Sequence, residues 1–354
     1  MMRLLNYTRA ELIDYVQDNF AKGEYYGNAL FRELYGNLDR GRDRESNPAF
    51  ASFYKTITQQ FPLPPLTEKI EEEGTVKFLL QMGDGYSSES VLIPMKNYST
   101  LCLSSQIGCR FGCSFCATGK MGYIRNLSTA EIVAQVMIAL FSLNCKDLQN
   151  IVFMGMGEPF DNFDNIIRAI DILSDERGLN IPKRRISVST AGHCEGIRDL
   201  SGLCESRPED YYHTLHLSVS LHSAVEDTRN SLMPMGRQYP LDELRQTLLD
   251  SPYSQVKDGL YIEYLIIPGL TDRDGEIEAL KGFLEGMQAK INLIPYNPVK
   301  GSPWKAPTNE EINRIWNSLK TAGFYCRTRR SKGETMMAAC GQLGSRRNKN
   351  EHTG

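Results

Sequence analysis

From about residue 100 onward, short runs rich in β-branched and aromatic residues alternate with segments of helical periodicity. The strand candidates are TLCLSS (100–105), IVFMGM (151–156), RISVST (185–190), LHLSVSL (215–221), LYIEYLII (260–267) and INLIPY (291–296). Several are apolar nearly throughout, the pattern of strands buried on both faces. Helices are predicted between them at about 128–143, 163–175, 194–203, 240–250, 274–287 and 308–322. Ser128 with Glu131, and Thr308 with Glu311, have the spacing of a capping box at two of the starts. Repeated strand–helix units imply an α/β fold with a parallel sheet, either curled into a barrel or open and doubly wound. GMGEP (155–159), STAG (189–192), SLHS (220–223), IPGL (267–270) and YNP (296–298) each follow a strand. Ligand sites gather at those strand ends, so one concave site built from many strands is expected.

Residues before about 95 read differently. Thr8 and Glu11 open a helix running to about Phe20, a second helix spans about 28–36, and NLDRGRDRESNP (37–48) reads as a loop. A third helix leads to the PLPP break at 62–65, after which TVKFLLQM (75–82) and SVLIPM (90–95) make a hairpin across Gly83 to Gly85. This is the pattern of a small helical accessory domain with a strand pair at the join, its short aromatic-bearing helices suited either to RNA binding or to a purely structural role.

The chain has 354 residues, 41% hydrophobic and 23% charged, enough to bury a sizeable core. The start MMRLLNYTRAELIDYV lacks an apolar h-region, and no run approaches the roughly 18 apolar residues of a membrane span. The expected location is the cytoplasm, with no membrane attachment. A net charge of −3 does not mark the whole molecule as a polyanion binder. Charge is uneven, though. Arg327, Arg329, Arg330, Lys332, Arg346, Arg347 and Lys349 face only Glu334 and Glu351, and Lys183, Arg184 and Arg185 form a second basic cluster. Such patches grip phosphates or are simply solvated surface.

Nine cysteines without an export signal argue for metal or redox chemistry over a disulfide framework. Cys109, Cys113 and Cys116 are spaced C-x-x-x-C-x-x-C just after the first strand of the alternating region. Three thiolates close in sequence can hold three irons of a 4Fe-4S cubane and leave the fourth to an outside ligand. Spacing alone also admits a zinc site or unrelated buried cysteines. Zinc sites usually want a fourth protein ligand and paired C-x-x-C knuckles.

In order along the chain, TLCLSSQIGCRFGCSFCATGKMGYIRNLSTAEIVAQV, FMGMGEPFDNFDN, RRISVSTAG, SLHS, INLIPYNP and AACGQL resemble the RlmN/Cfr-type radical-SAM methyltransferases, which methylate an adenine ring carbon in RNA. The matching region covers about residues 89–343. The resemblance implies a partial (β/α)6 radical-SAM barrel with a small N-terminal helical accessory domain. The expected divisions are 1–94, a core over 95–333, and a C-terminal segment over 334–354. It also implies one 4Fe-4S cluster on Cys109, Cys113 and Cys116, and two S-adenosylmethionine (SAM) molecules per turnover. Gly157, Glu158, Ser189, Ser220, Leu221, His222 and Asn297 match the SAM-contacting positions.

Two further cysteines match catalytic positions: Cys340, a methyl carrier, and Cys102, which resolves the adduct through a transient disulfide. Glu89 matches the family's candidate proton acceptor. Cys145, Cys194, Cys204 and Cys326 match no catalytic position and are read as structural. GETMM (333–337) departs from the acidic and aliphatic residues common there in the family. The expected product is a carbon-2-methylated adenosine in 23S rRNA, with tRNA beside the anticodon as a second substrate. A flavodoxin or ferredoxin is the expected reductant, and a monomer the expected state. Carbon-8 methylation is the nearest alternative, although Lys120 in CATGK looks closer to the carbon-2 branch. A non-catalytic RNA-binding protein that keeps the cluster as structure, and a radical-SAM enzyme acting on a small molecule or peptide, are the others.

Overall fold

The computed structural model describes residues 2–36, 42–59, 62–298, 302–329 and 341–344. Cys340, Arg330 and the departing stretch 333–337 lie outside the described residues. One ten-stranded sheet organises the chain. Its strands are β1 (Leu66–Glu72), β2 (Thr75–Gln81), β3 (Ser87–Pro94), β4 (Ser99–Cys102), β7 (Leu148–Phe153), β8 (Ile186–Thr190), β9 (His216–Ser220), β10 (Leu260–Ile266), β11 (Ala289–Pro295) and β12 (Tyr325–Thr328), neighbours in that order. β5 (Gln106–Gly108) and β6 (Tyr123–Asn126) pair separately as a small antiparallel hairpin. Pairing is antiparallel from β1 to β4 and parallel from β4 to β12. β1 and β12 are the two edges, so the sheet does not close. A single cavity nevertheless touches residues from β3 to just beyond β12, which requires the sheet to curl around it. The α/β partial barrel read from the sequence is therefore present, extended by β12.

Helices α6 (Thr129–Met137), α7 (Phe163–Ser174), α8 (Cys194–Ser206), α10 (Leu241–Asp250), α11 (Asp274–Leu284) and α12 (Asn309–Thr321) follow the predicted positions. The capping boxes at Ser128 and Thr308 form as the spacing requires. α6 ends earlier than 143 because residues Ile138–Ser142 widen into a π turn.

The strands are not apolar on both faces, and this corrects the first reading. Leu101, Ile151, Ile186, Val188, Leu217, Val219, Ile262, Ile291 and Leu293 are fully buried in the core. The alternate positions Ser187, Ser189, Ser218, Ser220, Glu263 and Asn292 are polar. Cavity-lining Ser189, Ser220 and Glu263 share that parity, which makes the concave face the polar one. β-branched and aromatic content reported the strands correctly but hid an alternation that serves a cavity.

Four helices precede the sheet: α1 (Arg9–Phe20), α2 (Glu24–Tyr35), α3 (Arg42–Ser46) and α4 (Pro48–Gln59). The Thr8–Glu11 capping box starts α1. α3 replaces part of the expected loop; Arg44 reaches Glu33 at 2.7 Å and lies over the Tyr54 ring, so tertiary contacts fix a segment of weak local preference. The helices dock on the core through Arg9–Asp175 and Arg168–Glu11 ion pairs, and Asn6 accepts from the Ala130 amide at 2.9 Å. β1, missed because LTEKIEE is polar, is an edge strand whose charges protect an open ladder.

Candidate active site

The concave face opens at the C-terminal strand ends into a cavity of about 1260 Å³, counted out to its mouth. Nine sequence-predicted residues share its wall. Cys109, Cys113 and Cys116 lie on the loop between β5 and α5 (Ala117–Met121), Cys102 ends β4, Gly157 and Glu158 follow β7, and Ser189, Ser220 and His222 come from β8, β9 and the turn after it. Leu221 is fully buried in the core below, and Asn297 is half-buried off the wall. Glu89 sits on β3, on the same face as the wall residues Val91 and Ile93, buried and ion-paired with Lys77 at 2.8 Å. Cys145, Cys194, Cys204 and Cys326 are all away from this wall.

The segment after β7 can lie here only because two of its residues are glycines. A Cβ on Gly155 would stand 2.6 Å from the Leu103 carbonyl oxygen, and one on Gly157 would stand 2.6 Å from the Gln106 Cβ. Gly157 also has φ +102°, a backbone conformation that favours glycine.

Side chains then lock this segment to the cysteine loop. Gln106 donates to Asn126 at 2.8 Å and accepts from the Glu158 amide at 2.9 Å. Asn126 donates to the Asp161 carbonyl, and Asn162 donates to the carbonyls of Ser105 and Leu127. Arg110, the residue after Cys109, makes a bidentate pair with Asp161, which His193 also approaches at 3.3 Å. None of these bracing residues was singled out from the sequence. Their signal was present in QIGC and FDNFDN, but polar residues in a loop have many equivalent uses.

Burial pushes the Cys109 thiol up to about 12, and the Cys113 thiol well above its ordinary range, with Cys116 raising both and Cys109 raising Cys113. Thiols so placed stay neutral until a cation draws off the proton, which iron ligation does. Among the described residues no three His, Cys, Asp or Glu side chains converge as a single metal ion requires. A cubane asks for something else, one thiolate at each of three corners, and three cysteines on one cavity wall fit that.

Burial also raises Glu158, to about 7, against backbone N–H donation from Ala191 at 2.8 Å and Phe160 at 3.2 Å. His222 has φ +58°, and burial together with Arg229 holds its imidazole down at about 3. Its Nδ1 is buried without a protein partner, and Phe115 stands edge-on against its ring at 4.8 Å. A neutral imidazole with an unsatisfied ring nitrogen on a cavity wall is a group awaiting a ligand.

The chain's end returns to the same wall. Ala117 donates its amide to the Gly341 carbonyl at 2.7 Å, and Thr118 donates its hydroxyl to the Leu343 carbonyl at 2.6 Å. Leu343 packs in one apolar patch with Val91, Met156 and Cys102. Gly341, which directly follows Cys340, is thus fixed beside the cysteine loop. From the other side Arg329 lines the cavity and pairs with Glu263 at 3.3 Å.

The Radical SAM superfamily model matches residues 103–280, half of the chain. The chain is 38% identical to the probable dual-specificity RNA methyltransferase RlmN 1 of Protochlamydia amoebophila, over 97% of this chain and 94% of that protein. It is 37% identical to the dual-specificity RNA methyltransferase RlmN of Syntrophobacter fumaroxidans, over 96% of each. The crystal structure of a radical SAM methyltransferase from Sphaerobacter thermophilus superposes with a TM-score of 0.83 at 35% identity, covering 96% of this chain and 98% of that one. With a three-cysteine loop, a glycine-fitted turn and a returning C-terminus on one wall, and relatives matched end to end, the chain belongs to the RlmN family of radical-SAM RNA methyltransferases.

Proposed function

We propose that the protein methylates carbon 2 of an adenosine in 23S rRNA, and an adenosine beside the anticodon in tRNA, in the cytoplasm. The observation that carries this reading is the shared wall. Cys102, the three loop cysteines and Gly341, next in sequence to Cys340, border one cavity. The words "dual-specificity" in the names of the relatives support two RNA substrates.

An adenine ring carbon bearing hydrogen is too weak a nucleophile to take a methyl cation directly, so the protein carries the methyl first. Cys340 accepts it from one SAM by displacement, which requires the thiolate. Cys109, Cys113 and Cys116 would hold the 4Fe-4S cluster, which with a second SAM and an electron from a flavodoxin or ferredoxin supplies the radical that removes hydrogen from the S-methyl group. Gly157, Ser189, Ser220 and His222 orient that SAM from the wall, and Leu221 and Asn297, off the wall, act by holding them in place. Glu158, spent on the Ala191 and Phe160 amides, shapes the turn. After the methylene radical adds to adenine, Glu89 takes the ring proton and one electron returns to the flavodoxin or ferredoxin couple. The Cys102 thiolate then closes on the Cys340 sulfur, so that the carbon–sulfur bond breaks as the disulfide forms and the released methylene takes up a proton to become the methyl group.

Nucleoside analysis of 23S rRNA and tRNA from cells with and without the gene tests this. Gene-dependent 2-methyladenosine is expected. 8-Methyladenosine in its place, or neither product, overturns it.

A further inference from the structure

The polar concave face continues below the radical cavity. Along the same alternation, the positions nearer the N-terminal strand ends are Asn150 on β7, Ser187 on β8, His216 on β9, Tyr261 on β10, Lys290 on β11, and Tyr325 and Arg327 on β12. A second hollow here is walled by Asn150, Val152, Arg184, Arg185, Ser187 and His216. Val152 lines both hollows, so they adjoin.

Cations and aromatic rings interleave across this floor. Arg185 lies 5.7 Å over Tyr98 and Arg327 lies 5.6 Å over Tyr261. Lys290 is 5.8 Å from the Tyr261 ring and 5.1 Å from the Tyr325 ring, and His216 is 5.3 Å from Tyr261. Arg184, Arg185, Arg327 and Tyr325 are exposed. Asp258 faces His216 and is ion-paired with Lys290, while Lys290, Arg327 and Arg185 all bear on His216 as cations. Cations thus outnumber the carboxylate around His216, and the rings offer faces on which bases stack. Positive grooves interleaved with aromatics are how proteins track single-stranded nucleic acid.

We propose that this floor is a second RNA-contact surface, gripping the backbone of the substrate strand a few nucleotides from the reacting adenosine. It rests on the reading of RNA as substrate. His216 lies four residues below Ser220, about 13 Å along β9. That is the length of about four stacked nucleotides at about 3.4 Å each. The reacting base and this grip would thus belong to one continuous strand.

The test compares wild type with R185Q/R327Q, binding protein-free 23S rRNA and a single-stranded oligoadenylate across a salt series. Each lost phosphate contact removes about 0.7 from the salt slope on single strands, so the double variant should lose about 1.4. Between about 50 and 200 mM salt, wild-type affinity should then fall about sevenfold more than that of the variant. Y325A should weaken oligoadenylate binding with its salt slope unchanged. R184Q/R185Q, on exposed positions, gives the same readout should the first variant fold poorly. A folded variant with wild-type affinity and slope overturns the floor while leaving the RNA reading intact. Wild type that binds neither RNA at any salt overturns the RNA reading and the floor with it.

Discussion

Replacing Lys77 by methionine separates what the buried Lys77–Glu89 pair does for stability from what it does for chemistry. The two side chains are 7% and 1% exposed and 2.8 Å apart, so the variant leaves a carboxylate in the protein interior without its cation. Breaking one half of such a pair costs about 3–5 kcal/mol. With about 2.1 cal/mol/K of unfolding entropy per residue, 4 kcal/mol in a chain of 354 residues lowers Tm by about 5 °C. The double variant K77M/E89L removes both charges. It should recover to within about 1 kcal/mol of wild type or exceed it, because the desolvation penalty of the pair disappears with its attraction. Methylation, for which Glu89 is the proposed proton acceptor, should not recover. Anaerobic thermal and urea unfolding of K77M, E89L and K77M/E89L, beside single-turnover methylation, closes the cycle. A K77M loss under about 1 kcal/mol, or a double variant no better than K77M, refutes the reasoning.

The remaining predictions concern the cavity wall. Burial lifts Glu158 to about 7 from its ordinary 4.5. Between those values the unfolded chain sheds a proton that the folded protein keeps, so the apoprotein should lose up to about 3 kcal/mol as pH rises through that window. In E158Q this component of the pH profile should be absent; a wild-type profile there contradicts the assignment. G157A places a Cβ 2.6 Å from Gln106 at φ +102°, and should cost about 1–3 kcal/mol and sharply reduce 5′-deoxyadenosine production from SAM. Stability and SAM cleavage both equal to wild type would show that the turn is not held this tightly. C340A should still cleave SAM but transfer no methyl, whereas C102A should accumulate RNA covalently attached to protein on denaturing gels. Free methylated RNA from either variant breaks the proposed division of labour.

What the sequence made legible was whatever depends on near neighbours in the chain. The capping boxes at Thr8, Ser128 and Thr308 are three-residue devices, and all three form. Strands β4 and β7 to β11 announced themselves by β-branched content, whereas the short β5–β6 hairpin did not. Illegible features depend on partners far away in sequence. Nothing near Arg44 predicts that Glu33 and Tyr54 will hold it in a helix. Lys77 opposite Glu89 follows only from the pairing of β2 with β3. β12 is four residues long and has strand character only because β11 lies beside it. At the candidate site, the cysteine loop and GMGEP were readable from their spacing. The Gln106–Asn126–Asp161–Arg110 brace was not, since its members are ordinary loop residues until the loop is folded.

The carbonyls of Gly341 and Leu343 dock on the first turn of α5, more than two hundred residues earlier in the chain. This contact imposes an order in time. The cysteine loop is synthesised first, and the wall beside it is completed only after residues 341–343 emerge. A growing chain therefore holds the cysteine loop long before it holds Gly341 and Leu343, and docking of those two carbonyls on α5 marks the moment at which this wall is complete.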